Sequence, residues 1–363
     1  MPLIILGVLV VAVLGLQAYA FRRLWDRGLD FRVQFSAKEA FEGDRLYLRE
    51  QLTNAKFLPL PWVYTKLAMP QHLAFVHKDG TFLSEGAQNS LHAVMSYRAI
   101  RRRKYFVCQK RGVYRLRQAT VMASNLLHTH EFTKEFRLSG ELLVFPKTFE
   151  SCEQLNLLYR RLDAAVLSRF TNPDPFEFRG LREYQPTDAL RDVNFRATAV
   201  AQQLMVNIHA PTAARRLMLV LNFEDTDAEP HLHEQAIRLC ATLAEHYLAQ
   251  GVGVGFATNG RDHLGKPMGL PVGNHAGQLY RLLECLARIT LGYKCTPMAT
   301  YMDALHHYDQ TYIFISSYRG ADLLDAFADL AHRGIEAAAI IPVLELNDTA
   351  IALGKNITLW DAA

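Results

Sequence analysis

Leu217-Met218-Leu219-Val220-Leu221 is an apolar run without a polar interruption. A strand wetted on one face alternates apolar with polar residues, whereas a strand covered on both faces need not. Downstream, residues 233–250 place Ile237, Cys240, Leu243, Ala244 and Tyr247 on one helical stripe. The same alternation of textures continues: a strand at 252–257, a helix at 278–289, a strand at 312–315, a helix at 321–332 and a strand at 335–343. Apolar strands separated by helices predict a mostly parallel sheet with right-handed crossovers. Gly251, Gly334 and the Asn259-Gly260 pair punctuate the pattern where elements should stop. Gly251-Val252-Gly253-Val254-Gly255 lies inside a predicted strand, so its glycines read as close packing rather than a phosphate loop.

Upstream the texture differs. Between residues 31 and 146 short apolar runs are broken by turn residues, as at Glu42-Gly43-Asp44, and Phe31, Val33 and Phe35 alternate with polar neighbours. Six or more such strands predict a small sandwich or barrel, with Pro59 and Pro61 confining their segment to a loop or an edge. From Arg98 to Arg117 there are nine Lys or Arg and no acid. Without the interleaved aromatic stacking pattern of a single-strand binder, this run reads as a solvated face, a charged edge strand or a surface near anionic lipid, and not as a nucleic-acid site. Residues 153–167 form an amphipathic helix, with Leu155, Leu158, Leu162, Ala165 and Val166 on one stripe.

Residues 3–20 carry no charge. At ~1.5 Å per residue they reach about 27 Å, close to a hydrocarbon core. Arg22, Arg23 and Arg27 follow directly, so the positive-inside rule puts the N-terminus outside and the body in the cytoplasm, with Trp25 as an interfacial anchor. Ala18-Tyr19-Ala20 has the form of a signal-peptidase site, but no basic region precedes the apolar stretch. Half of the 363 residues are apolar, which excludes a disordered chain, and one long apolar stretch excludes a polytopic transporter. The net charge of +4 implies no polyanion partner. Five cysteines without a CxxC fit reduced thiols.

The most distinctive stretch is GLREYQPTDALRDVNFRATA at 180–199. Its polar residues are spaced for neither a helix face nor a strand face, and Asp188 has Arg182 and Arg191 as candidate partners for a bidentate pair. This stretch resembles the signature of the bacterial domain of unknown function number fifty-eight, approximately G-x-R-x-Y-x-x-G-D-x-x-R-x-I-x-W-x-x-[ST]-A-R. Gly180, Arg182, Tyr184, Asp188, Arg191, Thr198 and Ala199 match, Val193 stands for the Ile and Phe195 for the Trp. Thr187 and Val200 depart from the pattern. Glu42-Gly43-Asp44, Asn54, the stretch Leu58-Pro59-Leu60-Pro61-Trp62 and Lys110-Arg111-Gly112-Val113-Tyr114 also resemble that family.

The resemblance implies an α+β multidomain chain: a transmembrane anchor at 1–24, a β-rich sandwich-like domain at 25–150, and a linking helix with the signature at 151–210. A von Willebrand factor A-like α/β domain at 211–363, with a mostly parallel sheet, completes it. The family usually has two N-terminal membrane segments, where this sequence has one. The resemblance also implies a MoxR-type AAA+ ATPase as protein partner. A von Willebrand-type ion site uses Asp-x-Ser-x-Ser. The matching positions are Asn222, Glu224 and Thr226, with Thr296 for the second loop and Ser316-Ser317 where an aspartate is usual. Loss of both aspartates predicts a degenerate, metal-free site. His231, His233 and Glu234, His306-His307, and His128 with His130 lack the partners of a zinc site. There is no GxSxG and no Walker motif. The expectation is a membrane-anchored, non-catalytic interaction or adaptor protein without cofactor, its signature at Gly180, Arg182, Tyr184, Asp188, Arg191, Phe195 and Thr198. The alternative is a divalent-cation-dependent adhesion-type module.

Overall fold

The structure, a computed structural model, describes residues 2–77, 79, 81–85, 88–125, 128, 130–168, 173–185, 193–211, 216–224, 230–292, 295–303, 310–318, 320–343 and 357–361. Two compact units divide the chain, Met1–Lys147 and Thr148–Ala363, so the stretch 151–210 falls in the second.

The first unit opens with helix α1 (Pro2–Leu24), whose stretch Ile4–Leu24 holds an 18-residue window of mean hydropathy 2.4 and is long and apolar enough to cross a membrane. Ten strands follow: β1 (Leu29–Phe35), β2 (Glu39–Phe41), β3 (Arg45–Asn54), β4 (Leu60–Leu67), β5 (Leu73–Val76), β6 (Phe82–Glu85), β7 (Gln88–Val94), β8 (Arg98–Cys108), β9 (Gly112–Ser124) and β10 (Glu131–Phe145). They make two five-stranded sheets, in the orders β1-β3-β8-β5-β6 and β2-β10-β9-β4-β7. Period-2 alternation sends Leu48 and Leu52 of β3, Val63 and Leu67 of β4 and Val121 of β9 into one buried cluster. Pro61 sits in β4 where the register with β7 shifts between Leu60 and Val63, a bulge that asks for no ladder N–H at the proline.

Three expectations change here. Trp25 is not an interfacial anchor: it is buried, its ring stacked on Phe132 at 5.7 Å, and Phe21 joins the same cluster. The end of α1 is therefore part of the sandwich core. The basic run is not an edge strand either, since β8 lies in the middle of its sheet. Nor is the run without aromatic partners: Arg103 lies over Tyr47 and Arg45 over Tyr105, at 5.2 and 5.4 Å from the ring centres. Lys104 turns inward and meets Glu50 at 2.6 Å.

Near this pair His92 is buried, its Nε2 3.1 Å from Thr65 Oγ1. Burial, then the charges of Arg102 and Lys104, hold its pKa down to about 4. A histidine depressed from 6.5 binds its proton more tightly in the unfolded chain. Stability is thus fully present above pH 6.5 and is lost as pH falls towards 4. Thermal melts of the wild type across that window should slope downward with acid, and His92→Gln should flatten the slope.

The second unit contains helix α2 (Glu153–Ser168), strand β11 (Pro173–Glu183), helix α3 (Phe195–Ala201), strands β12 (Met205–Pro211) and β13 (Arg216–Asn222), and helix α4 (Pro230–Ala249). Strands β14 (Gly253–Asp262) and β15 (Pro267–Gly273), helix α5 (Gln278–Arg288), strand β16 (Ile289–Thr290), helix α6 (Met298–Asp303), strand β17 (Thr311–Ser316), helix α7 (Ala321–His332) and strands β18 (Ala337–Val343) and β19 (Ile357–Asp361) complete it. β11 and β12 form an antiparallel hairpin. The others form one sheet in the order β15-β14-β13-β17-β18-β19, with β16 also on β14. The pairs from β14 through β13 and β17 to β19 are parallel, and β15 and β16 run antiparallel to β14.

The expected fold class is corrected. The chain is mostly β, 46% strand against 29% helix, and it does not present a clear parallel-sheet domain of the von Willebrand A kind. The stretches whose strand character the sequence hid account for the difference. Residues 267–273 carry Pro267, Gly269, Pro271 and Gly273, which read as loop, yet form an edge strand where a missing N–H costs no ladder bond. Most of the residues at 173–183, read mainly as turn chemistry and a polar network, are extended and paired with residues of 205–211. β14 also runs straight through Asn259-Gly260, which the sequence marks as a turn. Of the glycines of 251–255, Gly255 serves close packing, since a Cβ there would meet Val272 Cγ2 at 2.8 Å, whereas Gly251 has open space around it and φ 80°.

Candidate functional site

Two places in the second unit gather the polar residues singled out above. The first is at the carboxyl ends of the parallel strands. The chain leaves β13 towards β14 on one side and later enters β17 on the other, so the connections diverge there, where open sheets place ligand sites. Asn222 ends β13 and is buried. Its Nδ2 donates to Ser316 Oγ at 2.9 Å, and its Oδ1 accepts from Glu224 N at 3.0 Å and from Asn259 Nδ2 at 2.7 Å. Asn259 Nδ2 also donates to the Thr296 carbonyl at 3.0 Å, and its Oδ1 accepts from Phe223 N at 2.9 Å. Glu224 Oε2 accepts from Met298 N at 2.9 Å, holding the start of α6. Gly260 leaves room for this arrangement, since a Cβ there would come within 2.8 Å of the Phe223 ring.

Of the expected ion ligands, Asn222, Glu224 and Thr296 are therefore brought together, and Thr226 lies outside the described residues. The residues do not fit a divalent ion. Both lone pairs of Asn222 Oδ1 already accept hydrogen bonds, Thr296 engages through its main chain, and Glu224 supplies the one carboxylate. Ser316 spends its hydroxyl on the Tyr318 carbonyl at 3.2 Å. The arrangement ties the ends of β13 and β17, β14 and the segment before α6 together through side-chain hydrogen bonds. Asn222→Ala would strand the amide of Glu224 and take one partner each from Asn259 and Ser316. A loss of about 2–3 kcal/mol is expected, read as a drop of roughly 4–12 °C in the melting of this unit.

His231, His233 and Glu234 make no metal cluster. His231 Nε2 is 3.0 Å from Gln235 Nε2, and His233 is buried edge-on against Phe223. His306 and His307 lie outside the described residues. Among the described residues, no three His, Cys, Asp or Glu side chains are placed to hold an ion.

The second place is the signature itself. Gly180 and Arg182 lie on β11 opposite Ile208 and Val206, and Tyr184 N donates to the Leu204 carbonyl at 2.8 Å. Arg182 Nη1 donates to the Glu183 carbonyl at 3.0 Å. Asp188 and Arg191 lie outside the described residues, and with them the expected carboxylate–guanidinium pairing. Val193 bridges Val206, and both are buried. Then α3 turns back over the hairpin. Asn194 caps it, its Oδ1 accepting from Ala197 N at 3.0 Å while its Nδ2 donates to Asn207 Oδ1 at 2.8 Å. Thr198 Oγ1 accepts from Met205 N at 3.0 Å, and Gln203 Nε2 donates to Glu183 Oε1 at 3.0 Å.

This helix departs from the usual amphipathic plan, in which the apolar residues are buried. Polar groups fasten it to the hairpin, no residue of it is buried, and Phe195 and Val200 are 77% and 84% exposed. Leu181 and Leu204 add exposed apolar surface on the elements around it. Seven residues do not hold a helix by propensity, so the cap and the Thr198 bond hold it. Sequence reasoning named Phe195 and Thr198 but missed Asn194, although an Asn immediately before a helix is the usual N-cap signal.

No family model matches the chain. Among curated proteins, the uncharacterized protein YeaD of Bacillus subtilis (strain 168) is 22% identical over 233 residues, 63% of this chain and 55% of that protein, so the chain spans about half of that relative. Among solved structures, the second type II cohesin module of the ScaA scaffoldin of Acetivibrio cellulolyticus has a TM-score of 0.26 at 7% identity, covering 32% of this chain and 97% of the module. A non-cellulosomal cohesin from Archaeoglobus fulgidus has a TM-score of 0.22 at 10% identity, covering 36% and 98%. The CARDB domain of the PF1109 protein of Pyrococcus furiosus has a TM-score of 0.19 at 9% identity, covering 30% and 93%. Overlaps this low carry no argument about this chain.

Proposed function

We propose that the chain is a membrane-anchored, non-catalytic adaptor that offers the exposed apolar side chains of α3, Phe195 foremost, carried on the signature hairpin, to a protein partner. One observation carries the reading: Phe195 and Val200 are turned to solvent on a short helix that the Asn194 cap and the Thr198 bond hold in place. Aromatic side chains presented on a fixed backbone are the material of interface hot spots. The helix α1 supplies the anchor, and Arg22, Arg23 and Arg27 on its C-terminal side favour a cytoplasmic body. The partner class, a MoxR-type AAA+ ATPase acting in assembly or maturation of membrane or envelope proteins, follows from the resemblance of residues 180–199.

The test is co-purification of the full chain from native membranes, with bound proteins identified by mass spectrometry and Phe195→Asp as the comparison. An AAA+ ATPase recovered with the wild type and lost from the variant supports the reading. A well-folded chain that brings nothing down, or an ATPase held equally by both, sinks it.

A further inference from the structure

We infer that the end of the first unit next to α1 is a second membrane contact, in which Phe57, Met95 and Tyr97 enter the headgroup region of an anionic bilayer, flanked by Arg22, Arg23, Arg27 and Arg98. The inference rests on the reading of α1 as a membrane anchor and goes beyond it, from a tether to a docked orientation.

Phe57, Met95 and Tyr97 are 80%, 61% and 69% exposed, three large apolar side chains on two neighbouring loops of a sandwich with a well-filled core. The first loop is fastened to the residues just beyond the helix, and the second loop to the first. Ala55 N donates to the Gly28 carbonyl at 2.8 Å, and Lys56 Nζ donates to the Trp25 carbonyl at 2.7 Å. Tyr97 N donates to the Lys56 carbonyl at 3.2 Å, and Ser96 Oγ donates to the Phe57 carbonyl. Beneath them the buried amide of Asn54 donates to the carbonyls of Leu58 and Met95 at 2.9 and 3.2 Å. Because α1 ends at Leu24 and its last turn is seated in the core through Phe21 and Trp25, these loops lie where the chain leaves the apolar helix.

The chemistry matches that place. Aromatic residues and Met suit the boundary between acyl chains and headgroups, and the exposed arginines at 22, 23, 27 and 98 suit anionic headgroups. Asp26, the acid in this stretch, is paired with Lys134 at 3.3 Å. Tyr97 also holds a left-handed backbone, φ 53°, where Gly or Asn would be less strained. A bulky ring at such a position, turned to solvent, points to use outside the fold.

Photocrosslinking of the full-length chain in nanodiscs of mixed phosphatidylglycerol and phosphatidylcholine tests this. Benzoylphenylalanine replaces Phe57 in one sample, Leu9 of α1 in a second and Phe41 in a third. Phe41 precedes β3, whose far end leads to the Phe57 loop, so it reports the opposite end of the unit. Lipid adducts at Leu9 and Phe57 but not at Phe41 are expected, with the Phe57 yield falling several-fold in pure phosphatidylcholine while the Leu9 yield holds. Adducts at Leu9 with none at Phe57, or a Phe57 product that is protein, overturn the docked contact and leave the anchor standing. Equal Phe57 yields in the two lipid mixtures overturn the role of the arginines. No lipid adduct at Leu9 removes the anchor, and the contact with it.

Discussion

Phe195→Asp is expected to reduce capture of the protein partner about thirtyfold or more, while leaving the melting of the second unit within about 2 °C of wild type. The two halves of that result have separate physical origins. An aromatic anchor at the centre of an interface contributes 2 kcal/mol or more, and a buried carboxylate in its place adds a desolvation penalty. The fold does not feel the change, because Phe195 is exposed and packs on nothing that holds the hairpin. It is also the first residue of α3, where a negative charge is favoured by the helix dipole. Asn194→Ala gives the contrast. It removes the cap and the bond to Asn207, so it should lower stability by about 1 kcal/mol and weaken capture only as far as the helix frays. Equal capture by wild type and Phe195→Asp in a binding titration would remove α3 as the contact surface.

Lys104→Met carries the largest expected loss of stability, about 3–5 kcal/mol, seen as a fall of roughly 10 °C or more in the melting of the first unit. Lys104 and Glu50 are 2.6 Å apart, with side chains 10% and 3% exposed, between the two sheets of the sandwich. Methionine fills nearly the same volume, so packing changes little. What remains is a carboxylate in the core with no cation, and Glu50 Oε2 has no hydrogen-bond partner among the described residues. The double variant Glu50→Leu with Lys104→Met removes both charges and should return the melting close to wild type. Trp25 and Trp62, two of the three tryptophans, lie in this unit, so their fluorescence follows the transition. A single variant as stable as wild type would mean that water reaches Glu50.

The sequence shows its local elements well. The stripe Leu155, Leu158 and Leu162 does form the buried side of α2, and residues 321–332 are the observed bounds of α7. Phe31 and Val33 alternate inward on β1 as written. Its errors share one form. Pro267-Met268-Gly269-Leu270 carries turn residues, and only the presence of β14 beside it makes it a strand. Trp25 reads as interfacial because nothing nearby in sequence announces Phe132, more than a hundred residues on, as its partner. Arg98 to Arg117 reads as an edge until the pairing with β3 and β5 puts β8 in the middle.

The candidate site divides the same way. That residues 180–199 are distinctive, that Phe195 and Thr198 belong to that stretch, and that Asn222 replaces an acid are legible in the one-dimensional chain. Periodicity and capping preferences act within a few residues and need no knowledge of the rest. Tertiary structure alone decided that Asn222 meets Ser316 across 94 positions, that Glu224 holds the start of α6 across 74, and that Phe195 and Val200 of α3 are left exposed. Each of these depends on strand order and register. Those are set by the summed burial of many distant side chains, and a one-residue slip would send every one of them to the opposite face.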